Sequence, residues 1–216
     1  MKSILFTIIC SVVFLLSSFS LLQAQKPADY GFVEGINFKK NVAYKTVDGT
    51  DLVMDILYPN ADKINDKNPW MLFIHGGGWA GGNKNNIYKK AFLGTLQNLL
   101  ENGVVCATIE YRLAKAPITS YESVKDCKDA ARFLLKNSKS YKLHEENYGV
   151  WGGSAGGHLS LVTALVPDSN FSGDADLSSI HPKYKCVASF FPFTSCLNEE
   201  LRPGSIFAIL NFSIVC

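Results

Sequence analysis

Residues 148–159 read YGVWGGSAGGHL, a strand passing straight into a helix. Tyr148–Trp151 is a short apolar run that reads as a strand, Gly152 and Gly153 end it, and Ser154–Val166 reads as a helix. A strand that passes directly into a helix must turn sharply, and the central residue of such a turn is strained. Side chains before and after it must be small, or they collide with the neighbouring backbone. Gly152, Gly153, Ala155, Gly156 and Gly157 all meet that need. The turn holds the Ser154 hydroxyl out at the carboxyl edge of a sheet, in front of the positive end of a helix dipole.

The same alternation repeats on both sides of this stretch. Trp70–His75 (WMLFIH), Val104–Ile109 and Lys185–Phe191 (KCVASFF) are short continuous apolar runs. Between the first two, Lys84–Glu101 has helical spacing through Ile87, Phe92, Leu96, Leu99 and Leu100, with Gly103 just past its end. Thr119–Glu122 fits a capping box, and Val124, Ala130, Ala131, Leu134 and Leu135 give the following helix an apolar face. Ahead of all this, Asn41–Val47 and Asp51–Tyr58 alternate apolar and polar residues around Asp48-Gly49, a hairpin turn signal. The polar loop Asn60–Pro69 is too short to divide domains. Buried strands alternating with helices predict an α/β fold, a mostly parallel sheet covered by helices on both faces.

A second glycine motif, His75-Gly76-Gly77-Gly78-Trp79, follows the strand at residues 70–74. In a parallel sheet it shares the ligand-binding edge with Ser154. Ser154 is the candidate nucleophile. Acyl transfer builds negative charge on a carbonyl oxygen, which preorganised backbone N–H groups stabilise. Ala155 supplies one such N–H, and the glycine loop is the other expected source. The two motifs lie about 75 residues apart, each after a strand.

Together these residues resemble the α/β-hydrolase superfamily, in the branch of acetyl-esterase and lipase-like serine esterases that carry an HGGGW loop. Glu110-Tyr111-Arg112-Leu113, the helix at 124–135 (VKDCKDAARFLL) and the elbow at 150–159 (VWGGSAGGHL) are similar to stretches of that branch. The likeness runs from about Asn41 to Pro192. It implies a serine carboxylester hydrolase acting on small acyl esters, acetylated carbohydrate esters among them, through an acyl-enzyme. Ser154 is then the catalytic residue, and Gly77, Gly78 and Ala155 form the oxyanion hole. His75 braces the glycine loop. No cofactor and no metal are implied, and the partner is a small-molecule ester.

The chain order of that superfamily is Ser, then acid, then His. After Ser154 the histidines are His158 and His181. His181 precedes the strand at 185–191 and so belongs to the wrong end of the sheet, as do Asp168, Asp174 and Asp176. Glu199 and Glu200 follow that strand with no histidine after them. The expectation is a chain lacking the last strands that would carry the acid and the His, with the strand at 185–191 left as an exposed edge. The alternative reading is a truncated α/β-hydrolase fragment, catalytically dead or binding esters only.

Composition bounds the other readings. Of the 216 residues 47% are hydrophobic and 19% charged, which suits one globular domain. Twenty-one Lys and Arg against 19 Asp and Glu leave a net charge of +2, no footprint for nucleic acid. Residues 1–24 (MKSILFTIICSVVFLLSSFSLLQA) have one basic residue, a short apolar run and a terminal small residue, the pattern of a signal peptide. The domain expected is 25–216, secreted or periplasmic, with no membrane span after cleavage. Nothing here sets an oligomeric state. Cys10 lies in the leader. Cys106, Cys127, Cys186, Cys196 and Cys216 show no CxxC spacing, and Cys106 and Cys186 read as buried thiols.

Blander readings stand beside these. Residues 76–81 also satisfy G-x-G-x-x-G, but that fingerprint must open a helix at once and here a polar stretch intervenes. His158, one turn beyond Ser154, reads as a structural hydrogen-bonder and His144 as exposed. Asp126 and Asp129 read as solvated or as pairing helix to loop. Arg112 is expected to hold a carboxylate. Trp79 either lines an acyl pocket or packs under the loop.

Overall fold

The structure, a computed structural model, describes residues 37–192 and the backbone of a strand at Ser213–Val215. The chain divides into Met1–Glu34 and Gly35–Cys216. The first unit, and the expected signal peptide within it, lies outside the described residues, as do Cys196, Glu199 and Glu200.

Strands β1 (Phe38–Val47) and β2 (Thr50–Leu57) form the expected hairpin. Asp48 and Gly49 both take positive φ, 50° and 76°, as a two-residue turn matched to strand twist requires. After them come β3 (Asn68–Ile74), α1 (Lys90–Glu101), β4 (Val105–Ile109), α2 (Ser120–Lys136), β5 (Leu143–Gly153), α3 (Ala155–Leu165), β6 (Cys186–Phe190) and β7 (Ser213–Val215). The sheet order is β1-β2-β4-β3-β5-β6-β7. The four inner strands β4-β3-β5-β6 are parallel, and β2 and β7 flank them antiparallel.

The strand at 185–191 was expected to be an exposed edge. Instead β6 pairs with β7, Val187 opposite Val215 and Ser189 opposite Ser213. A three-residue strand carries too little alternation to be read from sequence.

The path β3→α1→β4 runs one way across the sheet, and β4→α2→β5→α3→β6 runs the other. With right-handed crossovers this places α1 on one face and α2 and α3 on the other. Side chains alternate accordingly. Trp70, Leu72 and Ile74 of β3 join Val150, Val124, Ala131 and Leu159 in one core. Phe73 and Trp151 turn to the opposite face and meet Phe92 of α1, with Phe73–Phe92 and Phe73–Trp151 centroids 5.1 and 4.7 Å apart. The direction of winding reverses between β3 and β5, so their carboxyl ends open the crevice where such sheets bind ligands.

The single helix expected over 84–101 is two pieces. Residues Lys84–Tyr88 form a 3-10 turn, Lys89 is extended, and α1 starts at Lys90. Three tertiary contacts pin the first piece. The Lys84 ammonium is buried against Asp55 at 2.6 Å, the Lys84 carbonyl accepts from Thr108 Oγ1, and its N–H donates to Glu110 Oε1. The capping box of α2 is present, with Glu122 accepting from both the N–H and the hydroxyl of Thr119. Those bonds pull the Glu122 carboxyl down to about 2.

Of the two readings of Asp126 and Asp129, pairing holds and solvation does not. Both are fully buried on α2. Lys45 of β1 reaches them at 3.0 and 2.6 Å, Arg112 grips Asp126 through Nε and Nη2 at 2.8 Å, and Arg132 pairs with Asp129 at 2.8 Å. Arg112 thus holds a carboxylate, as expected. Charges this deep are tolerable only while every partner is present. Asp126→Ala strands Arg112 and leaves Lys45 with Asp129 alone, and should cost about 3–5 kcal/mol. A loss below about 1 kcal/mol in urea unfolding would show that water replaces the carboxylate.

Candidate active site

Ser154 links β5 to α3 with φ 55° and ψ −124°, a backbone region that only glycine adopts freely. It is exposed between buried neighbours. Its N–H donates to Phe190 O at 2.8 Å, and its carbonyl accepts the His158 N–H at 3.0 Å, opening α3. Ser154 Oγ has no hydrogen-bond partner among the described residues, so the hydroxyl is presented rather than tied down.

The demand for small neighbours has named causes. A Cβ on Gly152 or Gly156 would collide with the carbonyl oxygen of Ile74. One on Gly157 would lie 2.6 Å from Ser189 Oγ, and one on Gly153 2.5 Å from the Phe92 ring. The first turn of α3 is therefore wedged between the ends of β3 and β6. Ala155 is buried at the first position of α3, where an N–H has no intrahelical acceptor.

The glycine loop presses on the same turn. A Cβ on Gly76 would sit 2.5 Å from Gly153 O and 3.4 Å from Ser154 Cβ. Gly77 and Gly78 have φ 135° and 61°, and Gly81 N–H closes the loop on Gly77 O at 2.9 Å. Both glycines are exposed. Gly76 thus packs directly on the Ser154 turn, Gly77 and Gly78 follow it in the same loop, and the N–H groups of Gly77, Gly78 and Ala155 have no acceptor among the described residues.

His75 lies beneath this loop, wholly buried and stacked on Tyr111 at 4.2 Å. Its Nδ1 is 3.0 Å from Gly76 O, so that nitrogen carries the proton. Its Nε2 has no hydrogen bond and lies 3.9 Å from Glu110 Oε2. Tyr111 OH donates to the His75 carbonyl at 2.8 Å. These contacts brace the loop from below. Burial lowers the imidazole to about 4 and raises the Glu110 carboxyl.

A pH dependence follows. Unfolded histidine takes its proton near 6.5, whereas folded His75 does so only near 4. Between those values the unfolded state binds more protons, so the stability due to neutral His75 is lost as pH falls. Desolvation of His158 acts in the same direction, and the raised Glu110 opposes both. His75→Gln should flatten the fall of Tm between pH 6.5 and 4. Parallel profiles for the two proteins would remove His75 from the pH response.

His158 is the structural hydrogen-bonder expected. Trp79 Nε1 donates to its Nδ1 at 3.3 Å, and the rings meet edge-to-face at 5.4 Å. This contact ties the glycine loop to α3 and gives Trp79 its packing role. His144 is half-buried, its Nδ1 accepting the Glu146 N–H at 3.0 Å in a local turn.

His181 sits with Asp168, 3.5 Å away, in a cavity of about 840 Å³ lined also by Lys128, Arg132 and Phe171. Residues Thr163–Pro167, at the C-terminal end of α3, form another wall of it. At eleven residues α3 spans about 16 Å, so this cavity lies well away from Ser154. Buried Lys128 caps that helix end through the carbonyls of Thr163 and Val166, at 3.0 and 2.8 Å. Sequence reasoning missed this cluster; Lys128 and Arg132 at i,i+4 among apolar positions were the available signal.

Cys106 and Cys127 are buried free thiols raised by desolvation, and Cys186 is half-buried, 3.9 Å from Met71 Sδ. Among the described residues no cluster of three His, Cys, Asp or Glu could hold a metal, and no helix is long and apolar enough to cross a membrane.

Comparison with known proteins bears on this crevice. The family model BD-FAE matches residues 54–202. A protein named "Probable carboxylic ester hydrolase LipM", from Mycobacterium tuberculosis, is 32% identical over 101 residues, 46% of this chain and 22% of that protein. Non-reducing polyketide synthase atr1 from Stereocaulon alpinum is 29% identical over 133 residues, 58% of this chain and 5% of the synthase. The propionate-bound esterase Est2 of Thermogutta terrifontis superposes with a TM-score of 0.64 at 26% identity, over 79% of this chain and 59% of that one. The chain thus spans a small part of these curated relatives and about three fifths of the solved esterase.

Proposed function

The chain belongs to the BD-FAE family, esterase-type hydrolases of the α/β-hydrolase fold, and from that premise we propose that Ser154 is the nucleophile of a carboxylester hydrolase working through an acyl-enzyme. Ser154 Oγ attacks the ester carbonyl, and the oxygen takes up negative charge facing the N–H groups of Gly77, Gly78 and Ala155. The carbonyl re-forms as the alcohol leaves with the proton released by the serine. Water then hydrolyses the acyl-serine to the free acid. The observation that carries this reading is the backbone of Ser154, held in a costly conformation with its hydroxyl exposed beside the glycine loop.

The substrate proposed is a small acyl ester, acetylated carbohydrates included, in keeping with an exposed Ser154 packed beside the glycine loop. No organic cofactor or metal takes part. The leader-like residues 1–24 support export, to the periplasm or outside the cell. Terminal sequencing of exported protein should begin near Gln25, and a retained Met1 would sink that part.

A second reading, ester binding without turnover, is favoured by one observation: no imidazole hydrogen-bonds Ser154 among the described residues. A fluorophosphonate probe separates the two, because only an activated serine reacts. Labelling together with p-nitrophenyl acetate hydrolysis supports the esterase. Saturable ester binding with neither supports the binding protein.

A further inference from the structure

Phe191 follows β6 with φ 49° and is 58% exposed. A bulky aromatic residue in the left-handed region is a conformational outlier. An exposed ring does not offset that cost through core packing, and glycine would fit the backbone better. Strain of this kind persists where the surroundings impose it, and it gathers at functional sites.

The surroundings here are the nucleophile turn. The preceding residue, Phe190, accepts the Ser154 N–H at 2.8 Å. Its ring is held against Phe92 and Trp151, with centroids 6.3 and 6.0 Å away. The chain is thus anchored immediately before Phe191, within one residue of a direct hydrogen bond to the nucleophile. Strand β5 lies between β3 and β6. Ser154 therefore has the glycine loop on its β3 side and Phe191 on its β6 side. With the carbonyl oxygen turned toward the glycine loop, the acyl and alcohol substituents of an ester splay apart, which leaves one of them on the Phe191 side.

We propose that Phe191 is a specificity-determining residue, its exposed ring forming an apolar wall for a hydrophobic substituent of the ester held at Ser154. This rests on the esterase reading above. The substituent is apolar, and it belongs to either the acyl chain or the alcohol.

The test compares kcat/KM ratios of wild type, Phe191→Ala, Phe191→Leu and Phe191→Gly. One arm fixes the alcohol, with p-nitrophenyl butyrate against the acetate. The other fixes the acyl group, with 1-naphthyl acetate against ethyl acetate. The wall predicts that one ratio falls about tenfold in the Ala and Gly variants, the scale set by one lost apolar contact, and recovers in part with Leu. The arm that moves identifies the acyl or the alcohol side. Phe191→Gly should also raise Tm, because the strain is relieved. An active wild type whose two ratios stay within twofold in every variant overturns this inference alone. A wild type that hydrolyses no ester and takes no fluorophosphonate overturns the esterase reading, and this inference with it.

Discussion

Ser154→Ala is expected to abolish fluorophosphonate labelling and to lower kcat for an ester by on the order of 10⁶, about 8 kcal/mol of transition-state stabilisation. The effect is large because, in the proposed mechanism, the hydroxyl forms the covalent intermediate. The fold should not suffer. Ser154 Oγ makes no hydrogen bond among the described residues, so removing it breaks no contact there. The companion substitution Ser154→Gly separates chemistry from architecture. It should be equally dead yet more stable by about 1–3 kcal/mol, since φ 55° and ψ −124° suit glycine and strain serine. Intact mass after labelling and a thermal melt read both quantities. Labelling that survives in Ser154→Ala would place the reactive group elsewhere, and an unchanged melting point in Ser154→Gly would mean the turn is not strained.

Gly156→Ala should produce the largest loss of stability from a single methyl group. Helix propensity favours alanine by about 1 kcal/mol. Against that, the new Cβ would strike the carbonyl oxygen of Ile74 and approach the carbonyl carbon of His75 at 2.6 Å, both main-chain atoms that cannot swing aside. Relief requires moving the first turn of α3 off the end of β3. The expected loss is about 4 kcal/mol or more, a large share of the about 5–15 kcal/mol a domain has. Gly94→Ala in α1 is the control, because nothing lies within 4 Å of its Cβ site. It should gain about 0.5–1 kcal/mol. Equal urea midpoints for the two variants would refute the close approach of α3 to β3. The same wedge sets Ser154 against the glycine loop, so a partly folded Gly156→Ala should also lose labelling.

The elbow was legible because everything it needs is adjacent in sequence: a strand, two glycines, a serine, small residues, a helix. The hairpin at Asp48-Gly49 and the cap at Thr119 were legible for the same reason. The buried carboxylates of Asp126 and Asp129 were not. Their partner Lys45 lies on β1, some 80 residues away, and the helix pattern alone fits a solvated face as well as an ion-paired one. The break at Lys89 depends on Lys84 finding Asp55 across the sheet, which hydrophobic spacing cannot register. The edge of β6 was misjudged because its cover, Ser213–Val215, is three residues long.

The strand–turn–helix at Ser154, the glycine loop after β3 and the α/β alternation are readable from the residues themselves. All of these follow from side-chain size, backbone stereochemistry and hydrophobic period within a few residues of each position. That β3 and β5 are neighbours with their helices on opposite faces, that His75 is buried beneath the loop, and that Phe191 is strained beside Ser154 emerges from the folded chain alone. Those depend on which distant segments pack together, and no local period encodes a partner brought in by the topology of the chain.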